Sequence, residues 1–180
     1  SRTMAGEYLK HLRRYSRSAS RIVDKMPHNF ELVGLIRLLF PNAKIIHARR
    51  DAMDNCVSCF MNAFSDAHGY NADLDKLGLY YREYDRLMKH WEKVFPGKIY
   101  LSQYEELTSD QEIQSRKLID HLGLAWDPAC LNFHETERTV TTISRWQVRQ
   151  PIYQSSVKRW KNYGDKLQPL INSLGDLAVT

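Results

Sequence analysis

The stretch K-I-I-H-A-R-R-D-A-M-D-N-C-V-S, residues 44–58, decides the fold. Its first five residues form a short apolar run, the pattern of a buried strand, and Arg49 and Arg50 close it. Asp51 is a good N-cap, so a helix is predicted from there to about Phe64. In open α/β sheets ligands bind beyond the carboxyl ends of strands, and a forked guanidinium there suits bidentate contact with a phosphate. Ser58 follows Arg50 by eight residues and lies about two turns on along the helix, roughly 10 Å at ~5.4 Å per turn, a distance an arginine can lean across. Two readings stand: Arg50 and Ser58 hold one phosphate, or Arg49 and Arg50 simply pair with Asp51 or Asp54 on the surface.

Moving outward, residues 8–15 read as a basic amphipathic helix, residues 21–25 (R-I-V-D-K) as a short strand, and residues 30–40 as a helix stopped by Pro41-Asn42. Residues 74–95 are predicted as a long helix. Its apolar positions Tyr80, Tyr84, Leu87, Met88, Trp91 and Phe95 form one stripe, the usual pattern of a core-facing helix. Pro96-Gly97 ends it, residues 99–102 read as the next strand, and residues 108–110 cap a helix over 112–122 that stops at Gly123. A short helix starts at Asp127-Pro128. Residues 135–154 are long, polar and without period, and residues 155–163 and 167–174 close the chain as helices. Alternating strands and helices predict an α/β fold with a parallel sheet.

The composition fits a single folded domain over residues 1–180: 43% apolar, 26% charged, 26 Lys and Arg against 21 Asp and Glu, net +5. No apolar run is long enough to span a bilayer, so no membrane partner is expected. Three cysteines cannot build a disulfide framework, which favours a reducing compartment such as the cytoplasm. Cys56 and Cys59 form a C-x-x-C, but with no second pair nearby they read as two residues inside a helix, and no metal site is expected.

Two further clusters carry chemistry. D-K-M-P-H-N-F (24–30) follows the first predicted strand, which places Lys25 at a strand end as Arg50 is. Adjacent strands ~4.8 Å apart would bring both cations to one crevice. Lysine suits a transferring phosphoryl or sulfuryl oxygen, and His28 is a candidate general base or a local hydrogen-bonding residue. T-T-I-S-R-W-Q-V-R-Q-P-I-Y-Q-S-S-V-K-R-W (141–160) interleaves Arg145, Arg149, Lys158 and Arg159 with Trp146, Tyr153 and Trp160. A long loop of this kind is functional more often than idle, and its composition also suits single-stranded nucleic acid. The mild net charge and the acidic residues Glu105, Glu106, Asp110 and Glu112 argue against that, so no nucleic acid is expected. No Walker-type or dinucleotide-binding glycine motif occurs.

At these clusters the sequence resembles the sulfotransferases, most of all bacterial-type domains similar to tyrosylprotein sulfotransferases. The resemblance rests on D-K-M-P-H-N-F (24–30), L-F-P-N-A-K-I-I-H-A-R-R-D (39–51) with Ser58, Y-E-E-L (104–107) and S-R-W-Q-V-R-Q-P-I-Y-Q-S-S-V-K-R-W (144–160). It implies a P-loop-like three-layer α/β fold that uses 3′-phosphoadenosine 5′-phosphosulfate (PAPS) as co-substrate and releases PAP. Under it Arg50 and Ser58 hold the 3′-phosphate, and Lys25 lies near the transferring sulfuryl group. Tyr104 contacts the nucleotide, and Ser144, Gln147, Val148 and Arg149 belong to the loop that closes over it. His28 lies near, but one residue out of register with, the catalytic histidine of cytosolic relatives. Asn62 stands where relatives can place a further arginine. The family's 5′-phosphosulfate loop would precede Ser1, so a truncated, weakly active or inactive form is expected. The acceptor would be a small molecule, sugar or peptide bearing a hydroxyl or amine. A P-loop-like kinase relative and a non-enzymatic basic module remain the alternatives.

Overall fold

The computed structural model describes residues 2–62, 69–136 and 147–178. Its fold is α/β, with a small parallel sheet formed by β1 (Ile45–Arg49) and β2 (Ile99–Gln103). Parallel strands need a long crossover, here supplied by α3 (Ala52–Met61) and α4 (Leu74–Val94). The remaining α-helices are α1 (Arg2–Leu12), α2 (Val33–Leu39), α5 (Tyr104–Ser109), α6 (Gln111–His121) and α7 (Gln168–Leu174). This arrangement is consistent with the P-loop-like fold expected of a sulfotransferase. Among the described residues no helix is long and apolar enough to cross a membrane.

The chain divides into two compact units, Ser1–Ile45 with Tyr84–Ile99, and Ile46–Glu83 with Tyr100–Thr180. In the first, α2 lies against the C-terminal half of α4. Gly34 allows this approach, since a Cβ there would stand 2.9 Å from the Trp91 ring. That ring is fixed by its Nε1–H, which donates to the Phe30 carbonyl at 2.8 Å. Phe30 meets Tyr84 edge-on at 5.2 Å, and the Arg37 guanidinium sits 5.9 Å from the Phe95 ring centre. In the second unit α3 supplies the core with Met53 and Cys56, fully buried, and α7 adds Leu170 and Leu174. Each buried leucine or methionine contributes about 1.5–3 kcal/mol. Leu77 and Tyr81 of α4 complete this core.

Several sequence expectations shift. No strand forms over residues 21–25, which run without regular structure; Val23 is 90% exposed. A strand is stable only when its backbone amides find a ladder, and residues 21–25 pair with neither β1 nor β2. The helix predicted over 30–40 begins as a 3-10 segment, Pro27–Leu32, before becoming α2. The buried positions of α4 are Leu77, Gly78, Tyr81, Asp85 and Met88; of the predicted stripe only Met88 is among them, the others being half-buried. Tyr80 instead stacks on Tyr70 at 3.9 Å. Residues 155–158 form turns, and the segment Arg159–Leu167 is 3-10 helix broken at Gly164 (φ 50°).

Candidate functional site

Asp51 caps α3 as its side chain predicts, accepting from the Asp54 amide at 2.8 Å. Its own amide donates to Glu105 Oε1 at 2.9 Å, so the start of α3 is tied to the start of α5. The two strand ends are thereby held side by side within one unit, and each presents a candidate residue. Arg50 follows β1 and Tyr104 follows β2, and the Arg50 guanidinium lies over the Tyr104 ring at 5.0 Å from its centre. Tyr81 of α4 fixes the Arg50 backbone, its hydroxyl donating to the Arg50 carbonyl at 3.1 Å.

Arg50 is held by more than the ring. Its Nη2 donates to the Ser156 carbonyl at 2.5 Å and lies 3.6 Å from Asp54 Oδ2. The Arg50–Asp54 pair weighed from sequence therefore exists, but Asp54 is buried in the core, 2% exposed, not on the surface. A buried carboxylate must be compensated by charge and hydrogen bonds. Asp54 has both: Oδ2 accepts the Lys158 amide at 2.6 Å and Oδ1 the Trp160 amide at 3.0 Å. One carboxylate thus clamps residues 158–160 to α3 and faces Arg50 as well. Lys158 takes the left-handed conformation, φ 58°, in making this turn. Gln154 strengthens the attachment by donating to the Thr108 carbonyl at 2.9 Å.

Two N–H donors of this cluster, Arg50 Nε and Trp160 Nε1, are buried without a hydrogen-bond partner. Such a donor costs about 1–3 kcal/mol, a cost that an anionic oxygen would offset. Burial raises the Tyr104 phenol above its ordinary value, opposed by the Arg50 charge and a hydrogen bond from Ser156. Burial also raises Cys59, and Arg50 again opposes it. Ser58 itself is half-buried, and no hydrogen bond joins it to Arg50. Asn62, one turn on, donates its side-chain amide to the Ser58 carbonyl at 2.7 Å.

The other expected site residues are placed as follows. Lys25 is exposed in the irregular segment, so the argument that two adjacent strands present Lys25 and Arg50 does not hold. His28 is half-buried in the 3-10 segment, its ring 6.3 Å from Phe30. Gln147, Val148 and Arg149 form one turn of 3-10 helix, with Val148 and Arg149 exposed; Ser144 lies outside the described residues, as do Arg145 and Trp146. Sequence reading missed Asp54 as an organiser and Glu105 as a tie. The one signal for Asp54 was a carboxylate four residues after Arg50 on a helix otherwise supplying the core.

The structure thus sets a strand-end arginine against a strand-end tyrosine at the carboxyl edge of the sheet of an α/β fold, the edge where open α/β sheets commonly bind ligands. Residues 1–128 match the model of the sulfotransferase family, and the chain belongs to that family. It is 40% identical over 176 residues to an uncharacterized protein of Aquifex aeolicus, covering 96% of this chain and 23% of that protein. It is 33% identical over 119 residues to the omega-hydroxy-beta-dihydromenaquinone-9 sulfotransferase Stf3 of Mycobacterium bovis, and equally to that of Mycobacterium tuberculosis. These matches cover 61% of this chain and 30% of each mycobacterial protein, so the chain spans under a third of the curated relatives' length.

Proposed function

We propose that this chain carries the 3′-phosphate half of a PAPS site and serves sulfuryl transfer from PAPS to an acceptor hydroxyl or amine. Family membership supports the reaction class. The observation that carries the site is Arg50, stacked on Tyr104 and holding a buried Nε–H without a partner. Nε and a terminal nitrogen of one guanidinium form the fork that a phosphate accepts bidentately. Trp160, whose amide Asp54 holds, carries a second buried donor without a partner, Nε1, and Ser58 lies about two turns along α3 from Arg50. The Ser156 carbonyl holds Nη2, the nitrogen that forks with Nε, so a phosphate takes Nε directly and completes the fork only by sharing or displacing that carbonyl.

In this reading Tyr104 positions Arg50 and contacts the nucleotide, the turn at Gln147, Val148 and Arg149 borders it, and the resemblance assigns Ser144 to the same nucleotide-binding loop. The resemblance assigns Lys25 to the transferring sulfuryl group, and His28, out of register with the relatives' catalytic histidine, is a candidate for the acceptor proton on its own chemistry. The mycobacterial relatives are named for an omega-hydroxylated dihydromenaquinone, which favours a hydroxyl over an amine as acceptor. Calorimetry with PAP and with adenosine 5′-monophosphate, which lacks the 3′-phosphate, tests the site. Wild-type protein is expected to prefer PAP, and Arg50→Ala to abolish that preference. Equal binding of the two nucleotides by wild-type protein, or an unchanged preference in Arg50→Ala, overturns it.

A further inference from the structure

The net charge of the chain is not spread over it. Residues 2–21 hold Arg2, Lys10, Arg13, Arg14, Arg17 and Arg21 against the single carboxylate Glu7, a net of +5. Residues 22–180 hold 20 cations and 20 carboxylates, a net of zero. The entire positive excess therefore lies on α1 and the segment that follows it.

The fold displays that charge outward. Tyr8 anchors one face of α1, its ring 5.5 Å from Phe40 and its hydroxyl donating to Asp24. The opposite face opens into a shallow cleft of about 840 Å³ lined by Gly6, Leu9, Lys10, Arg13, Arg14 and Arg17. No carboxylate lines it, and none pairs with these four cations among the described residues. Gly6 leaves the helix backbone bare, with nothing within 4 Å of where a Cβ would stand. Like charges three and four residues apart repel one another. The helix dipole favours cations in the last turn of α1, but Arg17 lies beyond it.

Apolar side chains are exposed in the cleft and the segment that follows it: Leu9 (41%), Tyr15 (81%), Val23 (90%) and Met26 (47%). Aliphatic groups interleaved with unpaired cations match the boundary between anionic headgroups and acyl chains. A single-stranded nucleic acid would call for a row of aromatic platforms, and among these four only Tyr15 is aromatic. We propose that the basic face of α1, with residues 13–26, docks the protein on an anionic lipid surface. The sequence-based expectation of no membrane partner rested on the lack of a spanning segment, and surface docking needs none.

Co-sedimentation with phosphatidylcholine vesicles, with and without phosphatidylglycerol, tests this. Wild-type protein is expected on the anionic vesicles only and to be released by salt. Arg13→Glu with Arg14→Glu is expected to lower that binding by about tenfold or more, and Lys10→Glu with Arg17→Glu to do the same on an independent pair, both pairs keeping the wild-type thermal transition. Equal binding to neutral vesicles, or wild-type binding by both pairs, overturns the proposal. Release by inorganic phosphate at the same ionic strength as an ineffective chloride solution overturns it in favour of a free-anion site. Tighter binding to a single-stranded oligonucleotide than to vesicles at equal phosphate overturns it in favour of nucleic acid.

Discussion

Asp54 concentrates the physics of the site into one side chain. It is buried, it accepts two backbone amides from residues 158 and 160, and it faces Arg50 at 3.6 Å. Removing one member of such a set leaves the others desolvated and unpaired, which typically costs 3–5 kcal/mol. Asp54→Ala is therefore expected to lower unfolding free energy by about 3 kcal/mol in urea titration, and Asp54→Asn by less, since its carbonyl still accepts an amide. A loss near zero for Asp54→Ala would mean that the clamp contributes nothing. Lys158, which the clamp holds at φ 58°, gives the opposite kind of prediction. The left-handed conformation costs an L-residue about 1–2 kcal/mol, and glycine's greater chain entropy returns about 0.5–1 kcal/mol of that. Lys158→Gly should accordingly leave the midpoint unchanged or raise it slightly. A marked drop would show that the lysine side chain itself stabilises the turn.

At the scale of elements, local chemistry was legible wherever it was sufficient. The Asp51 and Asp110 caps start α3 and α6 as their side chains predict, and β1 and β2 fall on their apolar runs. Residues 21–25 have the composition of a strand but no ladder, and strand formation is decided by the partner rather than by propensity. Arg50 was legible because it sits at a strand end, whereas Tyr104, at the end of β2, was reached only through the family resemblance. The clamp was not, because Asp54 bonds to main-chain amides more than 100 positions away, and backbone donors leave no mark in sequence. The C-x-x-C on α3 was read as two residues inside a helix, and burial raises both thiols, Cys56 far above the thiol range. An acid whose folded value is raised stabilises the fold below its unfolded value and loses that contribution as pH climbs past it. Stability should thus fall as the pH passes the ordinary thiol value of 9.0, where unfolded chains shed protons that the folded helix retains. Cys56→Ala should blunt that alkaline loss in pH-dependent melts; an identical slope in the variant would remove Cys56 as its source.

On the scale of the whole molecule, charge separates the two units more sharply than fold does. The unit of Ser1–Ile45 with Tyr84–Ile99 holds 13 Lys and Arg against 5 Asp and Glu, a net of +8. The unit that carries Arg50, Asp54 and Tyr104 holds 13 against 16, a net of −3. On the proposed reading, a nucleotide phosphate bound at Arg50 gains nothing from the overall charge of this unit. Its attraction must come from the few donors aimed at it, chiefly Arg50, where a preorganised guanidinium outweighs a diffuse field. The excess on residues 2–21 serves instead, as proposed, extended anionic surfaces, where exposed charges add and salt screens them within about 8–10 Å. The two functions should then come apart in one variant. Arg13→Glu with Arg14→Glu turns the chain's net +5 into +1, since each reversal removes two charges. It should elute from a cation exchanger at much lower salt than wild type, while its calorimetric affinity for PAP stays within about twofold. A parallel collapse of PAP affinity would show that α1 attracts the nucleotide as well, and that the anion at Arg50 depends on more than the donors around it.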